Sequence, residues 1–232
     1  MSDMLSSSAF WIALGQIIVV NIMLSGDNAV VIALACRSLP PKQQRSAIIF
    51  GSVGAIVLRV VLTFFAVMLL KLPFLKLVGG LALLWIGAGL LSGGDDEGDL
   101  QAHDNLWPAI RTIIIADFIM SLDNVLGVAA AAKGNTVLLV LGLAISIPLI
   151  IYGSKIILSL MGRFPVIITL GAALLGWVAG EMLVDDTSVS GWIEGHARFL
   201  HLAVPVLCTV LVVVAGKWMA ARGQRQAAAA AA

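Results

Sequence analysis

Ser25-Gly26-Asp27-Asn28-Ala29-Val30 and Ser121-Leu122-Asp123-Asn124-Val125-Leu126 repeat one pattern 96 positions apart, from Asp27 to Asp123. Each copy sets an acid and an amide side by side within a long apolar stretch. Carried along without gaps, the same offset pairs Asn21 with Asp117, Arg37 with Lys133 and Arg59 with Lys155. Polar residues are scarce in these stretches, so several coinciding by chance is a poor explanation. A second similarity, Gly80-Leu81-Ala82-Leu83-Leu84 against Gly171-Ala172-Ala173-Leu174-Leu175, runs at an offset of 91. Such self-similarity marks an internally repeated membrane fold.

The rest of the chain agrees. Of its 232 residues 60% are hydrophobic and 12% charged, and the mean hydropathy is +1.06. Soluble domains carry roughly 25% charged residues, and a fold of this size has too little interior to hide so much apolar surface. Lipid must be its solvent. A spanning helix needs about 20 largely apolar residues. By that rule seven are expected, at Phe10–Ala35, Arg45–Leu70, Leu75–Leu91, Leu106–Ala132, Thr136–Leu158, Pro165–Val184 and Phe199–Ala221. The expected fold is therefore an all-α polytopic membrane protein forming one membrane domain over 1–232. Repeat 1 is expected over 10–91, repeat 2 over 106–184, and an unmatched peripheral helix 7 over 199–221. Three helices is an odd number, so the second repeat must run through the membrane in the opposite direction. That is the inverted-repeat plan on which alternating access is built.

Lys and Arg near helix ends set the orientation. Arg37, Lys42, Arg45, Arg111, Arg163, Lys217, Arg222 and Arg225 gather on one side, against Lys71, Lys76, Lys133 and Arg198 on the other. The richer side should be cytoplasmic, with the N-terminus outside and the C-terminus inside. Trp11, Trp85, Trp107, Trp192 and Trp218 fall near the proposed helix ends, as an aromatic belt requires. The stretch with Asp95, Asp96, Glu97, Asp99 and Asp104 is read as a solvated connector before it is read as a metal collector. No basic n-region or small-residue cleavage site precedes the first apolar stretch, which is expected to be kept as a spanning helix. A net charge of +1 gives no case for nucleic acid. Two cysteines, Cys36 and Cys208, in apolar surroundings do not make a disulfide framework or a thiolate metal site. The alanines from Ala227 to Ala232 carry no argument.

An ionisable group in hydrocarbon costs at least a few kcal/mol, so it faces a partner, a cavity or an ion. Asp27 and Asp123 lie deep in their helices and, in opposed repeats, approach the midplane from opposite sides. Asn21, Ser25 and Asn28 share a helix face at i, i+4 and i+7, and Asp117, Ser121 and Asn124 repeat it. Ser25-Gly26 is placed to unwind the first helix locally and free backbone carbonyls; Leu122 stands where the second copy would need that glycine. The candidate metal ligands are thus Asp27, Asn28, Asp123, Asn124, Asp117, Asn21, Ser25 and Ser121, with Glu181 near the outer end of the sixth helix. These are hard oxygen donors, which suit Mg²⁺, Ca²⁺ or Mn²⁺ rather than copper(I) or zinc. The plainer alternative is a set of interhelical hydrogen bonds worth about 1 kcal/mol each, which suits Asn21 or Ser25 singly better than the duplicated Asp-Asn pair. Arg59 and Lys155 either snorkel to an interface or neutralise the empty aspartates. Gly176 and Gly180 form a small-xxx-small step for close helix packing. Met23 and Met120 read as packing, and His103, His196 and His201 as loop residues.

At Ser25-Gly26-Asp27-Asn28-Ala29 and Ser121-Leu122-Asp123-Asn124-Val125 the chain resembles the TerC family of integral membrane proteins, in particular its short bacterial branch. The resemblance implies two three-helix repeats, as in the wider lysine-exporter-like superfamily, and manganese efflux, with tellurium resistance in some members. It also implies that Asp27, Asn28, Asp123 and Asn124, with Asp117 and Glu181, form the metal path in a bacterial inner membrane. Manganese comes from this likeness; spacing alone reaches a hard divalent cation. The expected partners are membrane lipid, the transported Mn²⁺ and protons as counter-ion, with self-association left open and no prosthetic group. Two alternatives stand beside it: export of another small solute such as an amino acid, and a non-transporting membrane scaffold. No nucleophile–base pair or cofactor motif suggests an enzyme.

Overall fold

A computed structural model describes residues 11–12, 14–16, 18–19, 26–69, 72–92, 106–132 and 136–230, with side chains left undescribed at 123–132 and a few other helical positions. Trp11, Ile12, Leu14–Gln16, Ile18 and Val19 are helical. Eight further helices follow: α1 (Gly26–Cys36), α2 (Pro41–Leu69), α3 (Leu75–Ser92), α4 (Leu106–Ala132), α5 (Thr136–Arg163), α6 (Val166–Val184), α7 (Ser190–His196) and α8 (Leu200–Ala230). Among the described residues there is no strand.

Among the described residues, five stretches are long and apolar enough to span a bilayer: Pro41–Phe65, Leu75–Ser92, Val140–Arg163, Val166–Val184 and Leu200–Gln226. Two of the seven expected spans are not among them. α1 is short as described, at 11 residues, and α4 has described side chains only from Leu106 to Leu122. Several boundaries also move. α2 starts at Pro41 rather than Arg45, because proline is pre-set for the first helical position, where its missing N–H costs nothing. α5 runs on to Arg163. The stretch 185–198, expected as loop, contains the two-turn helix α7.

The helices are turned inside out relative to a soluble bundle. On α2, Phe50, Val53, Val57, Val61, Phe64 and Met68 are exposed at helical spacing, while Ser52, Arg59 and Thr63 are buried. α8 presents Leu202, Val206, Val210, Val214 and Trp218 outward in the same way. In water that face would be a large penalty; in acyl chains it is neutral.

α1 sits at the centre, with all its residues from Val31 to Cys36 buried. The helices pair α2 on α4, α1 on α5, α3 on α6, and α8 on both α6 and α3. Glycines set the closest approaches: Gly51 and Gly54 of α2 abut Ile113 and Ile114 of α4, and Gly80 of α3 faces the Ala179 carbonyl of α6. The tightest crossing is α6 on α8, where a Cβ on Gly180 would fall 2.3 Å from Pro205 Cα, and one on Gly176 would fall 2.7 Å from Thr209 Cα. The Gly176/Gly180 step thus meets α8 backbone to backbone, so the helix unmatched in the repeat scheme is firmly seated along one side. Gly180→Leu is expected to cost at least about 1–3 kcal/mol through overpacking. Gly195→Ala, whose new Cβ meets nothing within 4 Å, is the control. Thermal unfolding of the two variants in detergent measures the difference.

A second tie joins the α2–α3 turn to the segment after α6. Asp186 is 1% exposed. Its carboxylate accepts the backbone N–H groups of Phe74 (3.1 Å), Lys76 (3.0 Å), Leu77 (3.2 Å) and Ser188 (2.8 Å), and the Ser188 hydroxyl at 2.6 Å. It therefore caps α3 from across the chain, satisfying donors that a helix start leaves open, and it fixes Phe74 at a φ of 66°. Burial alone would raise the pKa of Asp186, but the hydrogen bonds from Ser188, Leu77 and Phe74 outweigh it and hold the carboxyl below its ordinary value. A carboxylate depressed on folding stabilises the fold above its unfolded pKa of about 3.9, and the gain is lost as pH falls through the lower folded value. At pH 7, Asp186→Asn is expected to lose about 1–3 kcal/mol. The gap to the native chain should stay constant down to about pH 5 and close only below about pH 4, as melting curves over that range would show.

Candidate functional site

The buried polar groups converge where α2 meets α4. Arg59 is 2% exposed and Asp117 7%. Arg59 Nη2 donates to Asp117 Oδ1 at 2.5 Å, and its Nε donates to Ser121 Oγ at 3.0 Å. The Ser121 hydroxyl in turn donates to Asp117 Oδ2 at 3.1 Å. The three side chains close a ring in which both carboxylate oxygens are engaged. Asp117 and Ser121 are one helical turn apart, the face expected from their i, i+4 spacing. The register of α2 on α4 follows from the glycines: Gly51 opposite Ile113 brings Arg59, eight residues on, opposite Ser121. Below the guanidinium, Thr63 returns its hydroxyl to the Arg59 carbonyl at 2.7 Å. Sequence reasoning set Arg59 among the charge-compensating groups but could not name its partner, because the parallel register of two helices is not written in either one alone.

Asp27 stands at the described start of α1. Its Oδ1 accepts the N–H of Asn28 at 2.8 Å. It lies close enough to feel both the attraction of Arg59 and the repulsion of Asp117. Asn28 is buried. One neighbourhood therefore holds two carboxylates, one guanidinium and one hydroxyl, all from α1, α2 and α4.

The other predicted positions divide. Asn21 and Ser25 lie outside the described residues, as do Lys71, Lys133 and the acidic stretch 95–104. Asp123 and Asn124 belong to α4, but their side chains lie outside the description. Among the described residues no three His, Cys, Asp or Glu side chains gather; the expected trio needs Asp123. Glu181 is exposed near the end of α6, outside the Arg59 ring. Lys155, the repeat counterpart of Arg59, is exposed, sits 5.7 Å from the Tyr152 ring centre and lines a cavity with Arg37 and Arg45. That cavity includes none of Asp27, Arg59 or Asp117. The sequence offset supplies a reason for the asymmetry: the counterpart of Asp117 is Asn21, an amide that offers a lysine no charge. Cys36 and Cys208 are buried free thiols.

Apolar outer faces around a buried ionic ring define a multi-pass integral membrane protein. The chain belongs to the TerC family of integral membrane proteins, whose sequence profile matches residues 6–224. It is 43% identical to the membrane protein YjbE of Bacillus subtilis over 206 residues, covering 89% of this chain and 94% of that one. It is 25% identical to the membrane protein YceF of Bacillus subtilis, covering 91% and 84%. It is also 25% identical to the inner membrane protein YgdQ of Escherichia coli K12, covering 85% and 91%. No solved structure matches.

Proposed function

We propose that the protein moves a hard divalent cation, manganese, out of the cytoplasm across a bacterial inner membrane. It does so by alternating access around Asp27, Asp117 and Asp123, with Arg59 as the internal counter-cation. The observation that carries this reading is the sealed Arg59–Asp117–Ser121 ring beside Asp27. A buried ion pair is a weak device for stability, since its desolvation cost consumes much of its Coulomb gain. Ionisable groups held in a membrane interior more often serve a path. Three carboxylates and one guanidinium sum to two negative charges, which one divalent ion neutralises. Without the ion, the guanidinium holds one carboxylate and protons neutralise the others, which gives the exchange with protons its physical basis.

Two further observations support the scheme. The helix pairing maps onto itself when the first three helices are exchanged with the second three: α2 on α4 becomes α5 on α1, and α3 on α6 is unchanged. An inverted repeat needs that property. Arg37, Lys42, Arg45, Arg111 and Arg163 lie within two turns of one set of helix ends, which positive-inside bias assigns to the cytoplasm. Manganese is the member of the hard-cation class that the family resemblance favours. The amino-acid alternative asks for a broad pocket with a basic residue at its centre; the cavity beside Lys155 is separate from the Asp27 neighbourhood.

Uptake of Mn²⁺, Mg²⁺ and Ca²⁺ into inside-out proteoliposomes under an imposed pH gradient tests the proposal. Saturable Mn²⁺ uptake that dissipates the gradient is the expected result. Absence of divalent-cation flux from folded protein would sink it and favour another cargo or a scaffold.

A further inference from the structure

The cavity beside Lys155 has a volume of about 550 Å³. It lies between the α1–α2 turn, the first turns of α2, the last turns of α5 and the start of α6. Arg37, Arg45 and Lys155 line it, and no acidic residue does. None of the three forms an ion pair with a described residue. Arg37 is half-buried, and among the described residues its side chain reaches the Leu91 carbonyl, at 3.5 Å. Burial pulls its pKa below the ordinary value, a cost that a nearby anion would offset. The remaining wall is largely apolar, with Ile48, Leu158 and Ile168. Three cations without a carboxylate repel a divalent cation, so this volume does not suit the cargo of the Asp27 site.

We infer that this cavity holds the phosphate of an anionic phospholipid. Basic pockets between spanning helices on the cytoplasmic side suit such headgroups. The flanking helices favour a lipid over free phosphate. The basic lining adjoins apolar surface: the exposed Tyr152 ring of α5 lies 5.7 Å from Lys155 Nζ, and Ile48, Leu158 and Ile168 face the cavity from α2, α5 and α6. A lipid can thus lay its acyl chains along those faces while its headgroup reaches Arg45 and Lys155, whereas inorganic phosphate has no use for the apolar wall. The inference does not depend on the cation reading.

Native mass spectrometry of the detergent-purified full chain, titrated with phosphatidylglycerol, phosphatidylcholine or inorganic phosphate, tests it. The native chain should retain phosphatidylglycerol over phosphatidylcholine. Arg45→Gln combined with Lys155→Gln should weaken phosphatidylglycerol binding by at least about tenfold. Both side chains are exposed, so folding should survive. Arg225→Gln, on α8 outside the cavity, should leave binding unchanged. Equal retention of the two lipids, or unchanged affinity in the double variant, overturns the inference. Displacement of phosphatidylglycerol by equimolar inorganic phosphate also overturns it, by giving the cavity to a free anion.

Discussion

Asp117→Ala is expected to destabilise the protein by about 3–5 kcal/mol, while Arg59→Met combined with Asp117→Leu restores most of that loss. The single change leaves Arg59, 2% exposed, with Ser121 as its remaining ring partner. A buried guanidinium left with one hydroxyl is an uncompensated charge. The double change removes both charges and their desolvation together, and Met and Leu keep much of the packed volume. Unfolding of Arg59→Met, Asp117→Leu and the double variant in one detergent forms a cycle that isolates the coupling. Additive losses would show that the pair does not hold α2 to α4. The double variant, though folded, should transport nothing, because the internal counter-cation and one carboxylate are both gone.

The second large effect falls on flux and spares the fold. Asp27→Ala should lower saturable Mn²⁺ uptake by at least about 100-fold, since removing even an outer-shell partner of a metal costs 10–100-fold. The described hydrogen bond of Asp27 is to the N–H of its own neighbour, so its loss costs only about 1 kcal/mol. Asp123→Ala should match it, because the proposed site is shared between the two aspartates. Flux retained by either variant would break that shared ownership. A melting temperature measured on the same preparations separates loss of transport from loss of fold.

How much of this was legible beforehand depends on range. The Asp27/Asp123 pattern is local, and it carried the family resemblance that the profile match over 6–224 bears out. Composition decided for a membrane, and the lipid-facing stripe of α2 shows why it could: hydrophobic residues outnumber what the interior needs. Gly176 and Gly180 announced a close crossing, but not that Pro205 and Thr209 of α8 would meet them. Arg59 stood out as a charge in an apolar run, whereas its partner 58 positions away depended on helix register. Asp186 gave no signal at all. It reads as one of two acids after an apolar stretch, and its role exists only once Phe74, Lys76 and Leu77 arrive 109–112 positions away in sequence.

Asp186 also bears on how the molecule can move. Its bonds stitch the turn between the second and third helices of one half to the exit from the third helix of the other. A pair of tongs works the same way: pinned at one end, the arms part at the other. In the alternating-access scheme proposed above, rocking of the two halves that preserves these bonds widens the opposite mouth. In that scheme, gaping on the pinned side requires Asp186 to release the amides of Phe74, Lys76 and Leu77 at the start of α3, which makes the two directions of opening mechanically unequal from the start.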